Sequence, residues 1–181
     1  MTAMHHTDLL VCVLACAIAA ALDLRTGNIP NWLTLGLFGL APVAHAVTAV
    51  RDHSWRSGLL AAGSSLGAGL CAAVIPLALA RKGGLGLGDV KLFAAIGATC
   101  GVLAALYAQT YAYVFGMVYA LVLVWRRGRL KATWENVRGL LAGSRRAAAE
   151  GPRRHEGFTE VKFGPAILAG MCLTAWARWS M

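Results

Sequence analysis

Residues 92–125 read LFAAIGATCGVLAALYAQTYAYVFGMVYALVLVW, 34 residues without a charged side chain. A helix crosses a bilayer with ~20 apolar residues, so this run is too long for a single crossing. The small-residue stretch Gly97–Gly101 inside it predicts a tight turn between two spans. Working outward, further uncharged runs cover 9–22, 26–50 and 57–80, and an apolar stretch covers 163–177. The runs at 26–50 and 57–80 are comfortably long enough to span. The first is short and could be taken for a signal-peptide core with Ala19–Ala21 as its small-residue end. However, no Lys or Arg precedes it, and Asp8 stands where a basic segment belongs. The expected fold is therefore all-α, a polytopic membrane protein with about six transmembrane helices near 8–23, 32–50, 57–80, 87–101, 103–125 and 163–180.

Composition agrees: 58% of the 181 residues are hydrophobic and 14% charged, and the mean hydropathy is +0.61. A soluble domain of this size is far more polar. Basic residues orient the chain. With the N-terminus outside, Arg25, Arg81, Lys82, Lys91 and all ten Lys and Arg from Arg126 to Lys162 lie on the cytoplasmic side, leaving Arg51, Arg56 and Arg178 outside. The net charge of +9 then reflects membrane orientation and attraction to anionic lipids. No nucleic-acid partner is needed to explain it.

Cys12, Cys16, Cys71, Cys100 and Cys172 all fall in expected spans, as small packing residues. The spacing of Cys12 and Cys16 is not that of a zinc ribbon. The five histidines are scattered without an HExxH, so neither a metal nor another cofactor is expected. Residues 1–181 read as a single integral-membrane domain that includes a basic cytoplasmic loop over 126–160. Trp134, Val137 and Leu141 space an amphipathic helix over 130–141 on the membrane face, with a merely solvated loop as the alternative.

Only two of the eight carboxylates abut the cytoplasmic ends of apolar spans: Asp23 in ALDLRTGNIPNWLT and Asp89 in GLGLGDVKLF. Spans 2 and 3 between them make one complete excursion, so both return to the same face. Two carboxylates in a poorly solvated site share one proton, the device by which a base takes a proton from water while an acid polarises a carbonyl. The bland alternative is that each caps a helix or pairs separately with Arg25 or Lys91.

The glycines before Asp89 exclude phosphate chemistry. Gly83-xxxx-Gly88 has Walker A spacing but is followed by Asp89-Val90 where Lys-Ser/Thr is required. A dinucleotide fingerprint on Gly84-x-Gly86 needs glycine at 89. Glycine beside an acid instead allows another backbone to come close, and an extended substrate peptide is such a backbone.

Gly86-Leu87-Gly88-Asp89 continues as Val90-Lys91-Leu92. With Asp23-Leu24-Arg25 and Ile29-Pro30-Asn31 upstream and Phe163-Gly164-Pro165-Ala166 opening the last span, the chain resembles the prepilin leader peptidases over nearly its whole length. These are GxGD intramembrane aspartic proteases of type IV pilus and type II secretion systems. The resemblance implies that Asp23 and Asp89 are the catalytic dyad. It also implies prepilin or pseudopilin substrates, cleaved after a glycine that ends a short basic leader, at the cytoplasmic side of the bacterial inner membrane. The larger bifunctional members add an N-terminal region with paired CxxC motifs and methylate the product. This chain lacks those motifs and resembles the small peptidase-only branch of tight-adherence (Flp-type) pili. Members commonly carry proline before the FGP segment, where this chain has Lys162, a departure that bears on the entry to the last span.

Supporting roles fall to Gly86 and Gly88 as substrate clearance, to Arg25, and to Asn28, Pro30 and Asn31 at the turn into span 2. Lys91 could tune Asp89, hold substrate or snorkel to lipid phosphates. Glu135, Glu150, Glu156 and Glu160 are the spare acids for a basic leader. Two rival readings stand beside this one. Gly63-Ser64-Ser65-Leu66-Gly67 matches a serine-nucleophile pattern, with His45 at similar depth, but that motif needs a strand-to-helix elbow and here the serine falls mid-helix, where GxxxG helix packing is the simpler reading. A small proton-coupled transporter would use Asp23 and Asp89 as a relay, but spans 2 to 4 carry no acid at mid-depth.

Overall fold

The computed structural model describes residues 6–126 and 162–180. They form five helices: α1 (His6–Thr26), α2 (Asn31–Asp52), α3 (Trp55–Arg81), α4 (Leu87–Arg126) and α5 (Gly164–Trp179), with no strand among the described residues. Their ends fall within one turn of the expected spans. Apart from Arg126, the basic loop lies outside the described residues, with its amphipathic stretch and its four glutamates. Four helices are long and apolar enough to cross a membrane: α1, α2, α3 and the Leu87–Leu123 part of α4. α5, with 16 residues, is shorter than the ~20 that cross the hydrocarbon core untilted.

α4 breaks where the opening stretch predicts a turn. Gly101 has φ 83° and ψ 167°, a conformation that glycine alone adopts cheaply. In a straight helix Phe93 and Tyr113 would be about 30 Å apart. Their ring centroids lie 5.9 Å apart. α4 is thus a hairpin with one arm over 87–100 and another over 102–126.

The break orphans the last carbonyls of the first arm, and unpaired carbonyls are costly in an apolar setting. Two side chains from other helices satisfy them. Ser65 Oγ on α3 donates to Ala98 O at 2.7 Å, and His45 Nε2 on α2 donates to Thr99 O at 3.0 Å. Ser65 and His45, the candidate nucleophile and base of the serine reading, are therefore committed to closing a turn. Ser65→Ala is expected to lower the unfolding free energy by about 1–3 kcal/mol, read as a lower thermal midpoint in detergent. An unchanged midpoint would mean that Ala98 O needs no donor from α3.

A second exception to helical bonding is repaired in the same way. Pro76 inside α3 has no N–H to give Ala72 O. Gln109 Nε2, from the second arm of α4, donates there at 2.6 Å, while its buried Oε1 has no partner among the described residues.

Packing is by small residues inside and large ones outside. Ala19, Ala72, Ala104, Ala105, Ala108 and Ala112 belong to the core, with Cys12, Phe93, Ile96, Ile167 and Met171 among the bulkier members. A β-carbon on Gly97 would lie 2.5 Å from Ala72 Cβ and 2.8 Å from Ala68 O, so α3 and the first arm of α4 touch backbone to backbone. Leu14, Leu40, Leu60 and Trp176 instead face outward, the distribution expected of helices solvated by lipid. Contacts divide the chain into two compact units, Met1–Phe115 with Lys162–Met181, and Gly116–Val161. The core and the site described below belong to the first. The described part of the second, 116–126, is the end of α4, with Val118, Leu121 and Trp125 exposed.

Candidate active site

Contacts between helix ends fix the direction of the bundle. At one end Cys100 Sγ, just before the hairpin turn, lies 3.4 Å from Asp8 O, and the rings of His6 and Trp179 are 5.0 Å apart. At the other end Gly164, the first residue of α5, touches Asp23 in the last turns of α1. α1 and α5 are therefore antiparallel, and α4 begins where α1 ends.

At that end Asp23, residues 27–31, residues 86–89 and Lys91 line one cleft of about 520 Å³. The two aspartates that the sequence places on one face thus share a site. Each is 8% exposed, so neither carboxylate is freely hydrated. The transporter alternative needs the same two groups; the other buried polar side chains among the described residues are Thr34, Ser65, Thr99, Gln109 and Thr174, none of them an acid that could continue a relay.

Both carboxylates sit at helix N-termini, through unequal bonds. Asp89 is the third residue of α4, and its Oδ2 accepts from Gly86 N at 3.3 Å, half of a capping box. Asp23 Oδ2 accepts from Gly164 N at 2.9 Å in a buried contact, across 141 residues of chain. Pro165 follows at the first turn of α5, where its missing N–H costs nothing. Two carboxylates with unequal surroundings are suited to sharing a single proton, one as acid and one as base.

The flanking residues sort as follows. Lys91 Nζ donates to Asn31 Oδ1 at 2.8 Å, joining the starts of α2 and α4 across the cleft. Pro30 is the N-cap of α2, with no side-chain cap bond. Gly27, with φ 70°, and the Thr26 hydroxyl, which donates to Leu22 O at 2.8 Å and accepts from Asn28 N at 3.3 Å, shape the turn before it. Asn28, Pro30 and Asn31 therefore lie where the sequence reading puts them, whereas Arg25 is exposed and outside the cleft lining.

Gly86 and Gly88 both line the cleft, but the close approach each permits is made by the chain itself. A β-carbon on Gly86 would meet Asp89 Oδ2 at 3.1 Å, and one on Gly88 would meet Ile29 Cβ at 3.2 Å. They let the α1–α2 turn and the Asp89 carboxylate settle against the start of α4. Among the described residues, no cluster of three or more His, Cys, Asp or Glu side chains is placed to hold a metal ion.

A family model described as the type IV leader peptidase family matches residues 10–121. The chain belongs to that family. A comparison with curated proteins gave no match, and neither did one with solved structures. Membership implies a leader-peptidase-type protease, and with four helices apolar enough to span a bilayer it is a multi-pass membrane protein.

The matched region of this leader peptidase family member contains Asp23, Asp89 and the whole cleft lining. It ends before Gly164, a site residue that sequence reasoning passed over. FGPA stands out as a motif, but nothing in it announces that one backbone N–H reaches Asp23. Tyr113 lies behind the site, outside the cleft lining. Its ring lies between Phe93, one turn past Asp89, and Phe163, one residue before Gly164, with centroids 5.9 and 6.0 Å away. Its hydroxyl is buried and has no hydrogen-bond partner among the described residues.

Proposed function

We propose that this protein is a prepilin peptidase that removes the short basic leader of prepilins or pseudopilins by an aspartic mechanism. The observation that carries the reading is the pairing of Asp23 and Asp89, each nearly buried, in one cleft at one end of the bundle. The carboxylate takes a proton from water while the water oxygen bonds to the scissile carbonyl carbon. The carbonyl oxygen takes the proton of the other, protonated aspartate, giving a gem-diol. Collapse of the gem-diol returns one hydroxyl proton to the aspartate that had supplied it and re-forms the carbonyl; the C–N bond breaks, and the departing amine receives from the other aspartate the proton first taken from water. Every proton and electron pair is accounted for between substrate, water and the two side chains, so no cofactor enters.

In this reading the two arms of α4 and the short α5 add crossings to those of α1–α3, giving six. The basic residues put the N-terminus outside and the cleft at the cytoplasmic face of the bacterial inner membrane, where leader glycines lie. Lys91 and Asn31, bonded to each other at the cleft rim, are the polar groups best placed to meet the extended leader peptide. Anionic lipids neutralise the basic cytoplasmic surface.

The test is reconstitution of the protein in vesicles with a purified prepilin. Mass spectrometry of the product should find a new, unmethylated N-terminus immediately after the leader glycine. An intact prepilin in the presence of folded protein, or cleavage elsewhere in the chain, would overturn the reading.

A further inference from the structure

We infer that Lys162 is a positioning residue for Asp23: its ammonium clasps the end of α1 and so holds the Gly164 N–H on the carboxylate. The inference rests on the dyad reading above. Three consecutive residues carry it. Lys162 Nζ donates to Leu24 O at 2.5 Å, and two residues later Gly164 N donates to Asp23 Oδ2 at 2.9 Å. The entry to α5 is therefore fastened to two adjacent residues of α1, one of them the candidate catalytic acid or base.

The clasp suits its place. Leu24 O is one of the last four carbonyls of α1, which lack helical donors. The one before it is met locally: Asp23 O accepts from Gly27 N at 2.8 Å. The Leu24 carbonyl takes a lysine from a distant segment, and a cation there also complements the helix dipole. Phe163 has no side-chain cap bond to offer α5, so two polar contacts to α1 hold the start of that helix, Gly164 N on the Asp23 carboxylate and Lys162 on Leu24 O. Further along, Ile167 and Met171 pack in the core beside Cys12 and Cys16, which holds α5 to α1 whether or not the clasp is closed. Opening the clasp should thus loosen the Gly164 bond and leave the bundle intact.

The experiment measures steady-state cleavage of a prepilin by the full-length protein in vesicles, for wild type, Lys162→Met and Lys162→Arg. A carboxylate displaced by a fraction of an ångström costs rate rather than binding. Lys162→Met is therefore expected to lower kcat about 10-fold with KM unchanged, and Lys162→Arg to recover most of the loss. Because the clasp acts through Gly164, adding Lys162→Met to Gly164→Ala should cost little further rate. An unchanged kcat in Lys162→Met overturns the proposal. So does a raised KM at unchanged kcat, which would make Lys162 a substrate contact. A full further 10-fold loss in the double variant, or failure of Lys162→Met to insert, would place its role elsewhere. Asp23→Asn run alongside separates the two levels: if it still cleaves, the dyad reading itself fails, whatever Lys162 does.

Discussion

Asp89→Asn and Asp23→Asn are each expected to lower kcat for leader cleavage by roughly 10⁴-fold, the upper range for removal of a general acid or base. Asparagine is the informative replacement because it preserves the structural duties of both positions. In Asp89→Asn the new amide oxygen can accept from Gly86 N as Asp89 Oδ2 does at 3.3 Å, so the start of α4 keeps its cap. In Asp23→Asn the amide oxygen can likewise accept from Gly164 N, now bonded to Asp23 at 2.9 Å. What asparagine cannot do is take a proton from water or supply one to a carbonyl oxygen. Insertion and thermal midpoint should therefore match wild type while turnover vanishes. Since the two carboxylates act as one unit, the double variant should be no slower than either single one. The alternative in which Asp23 and Asp89 merely cap separate helices predicts near-normal turnover for both asparagine variants, so retained cleavage in either would end the dyad assignment.

Much of this arrangement was legible in the chain. Uncharged runs of bilayer length marked the helices, and Gly97–Gly101 marked the hairpin turn because a 34-residue run cannot cross once. That Asp23 and Asp89 share a face followed from counting excursions. What could not be read were bonds between segments distant in sequence. Ser65 looked like a nucleophile because its local pattern fits one; its partner, Ala98 O, is exposed only by the break at Gly101, on another helix. The need for Gln109 was in principle readable, since Pro76 strips Ala72 O of its donor, but not which residue would meet it. The glycines before Asp89 were read for what they exclude and admit, yet the group that enters beside Gly88 is Ile29, placed there by the α1–α2 turn. Gly164 and Lys162 reach α1 only after a long excursion of chain, and neither residue type signals a polar contact by itself.

Gly164→Ala is the second large effect to expect, a fall in kcat of about 10²-fold with the fold retained. A β-carbon at this position would lie 2.8 Å from Asp23 Oδ2, 3.0 Å from Asp23 Cβ and 3.1 Å from Ala20 Cα. The first of these distances cannot persist, so something must move. The α1 backbone at Ala20 cannot give way readily, because Ala19 and Cys16 beside it are buried in the core. The start of α5 is pinned by Lys162 on one side and by Ile167 in the core on the other. The most easily displaced group is the Asp23 carboxylate, and moving it breaks the 2.9 Å bond that orients it. An overpacked site of this kind costs about 1–3 kcal/mol of stability, so a modest drop in thermal midpoint should accompany the kinetic loss. Gly164→Ser should be at least as slow, since its hydroxyl adds bulk at the same point. The outcome also discriminates between the roles of the FGPA segment. If that segment only begins a membrane helix, the overpacking should lower the thermal midpoint and leave kcat near wild type. If its first N–H aims Asp23, the same substitution should produce a folded protein that binds prepilin with unchanged KM and cleaves it slowly.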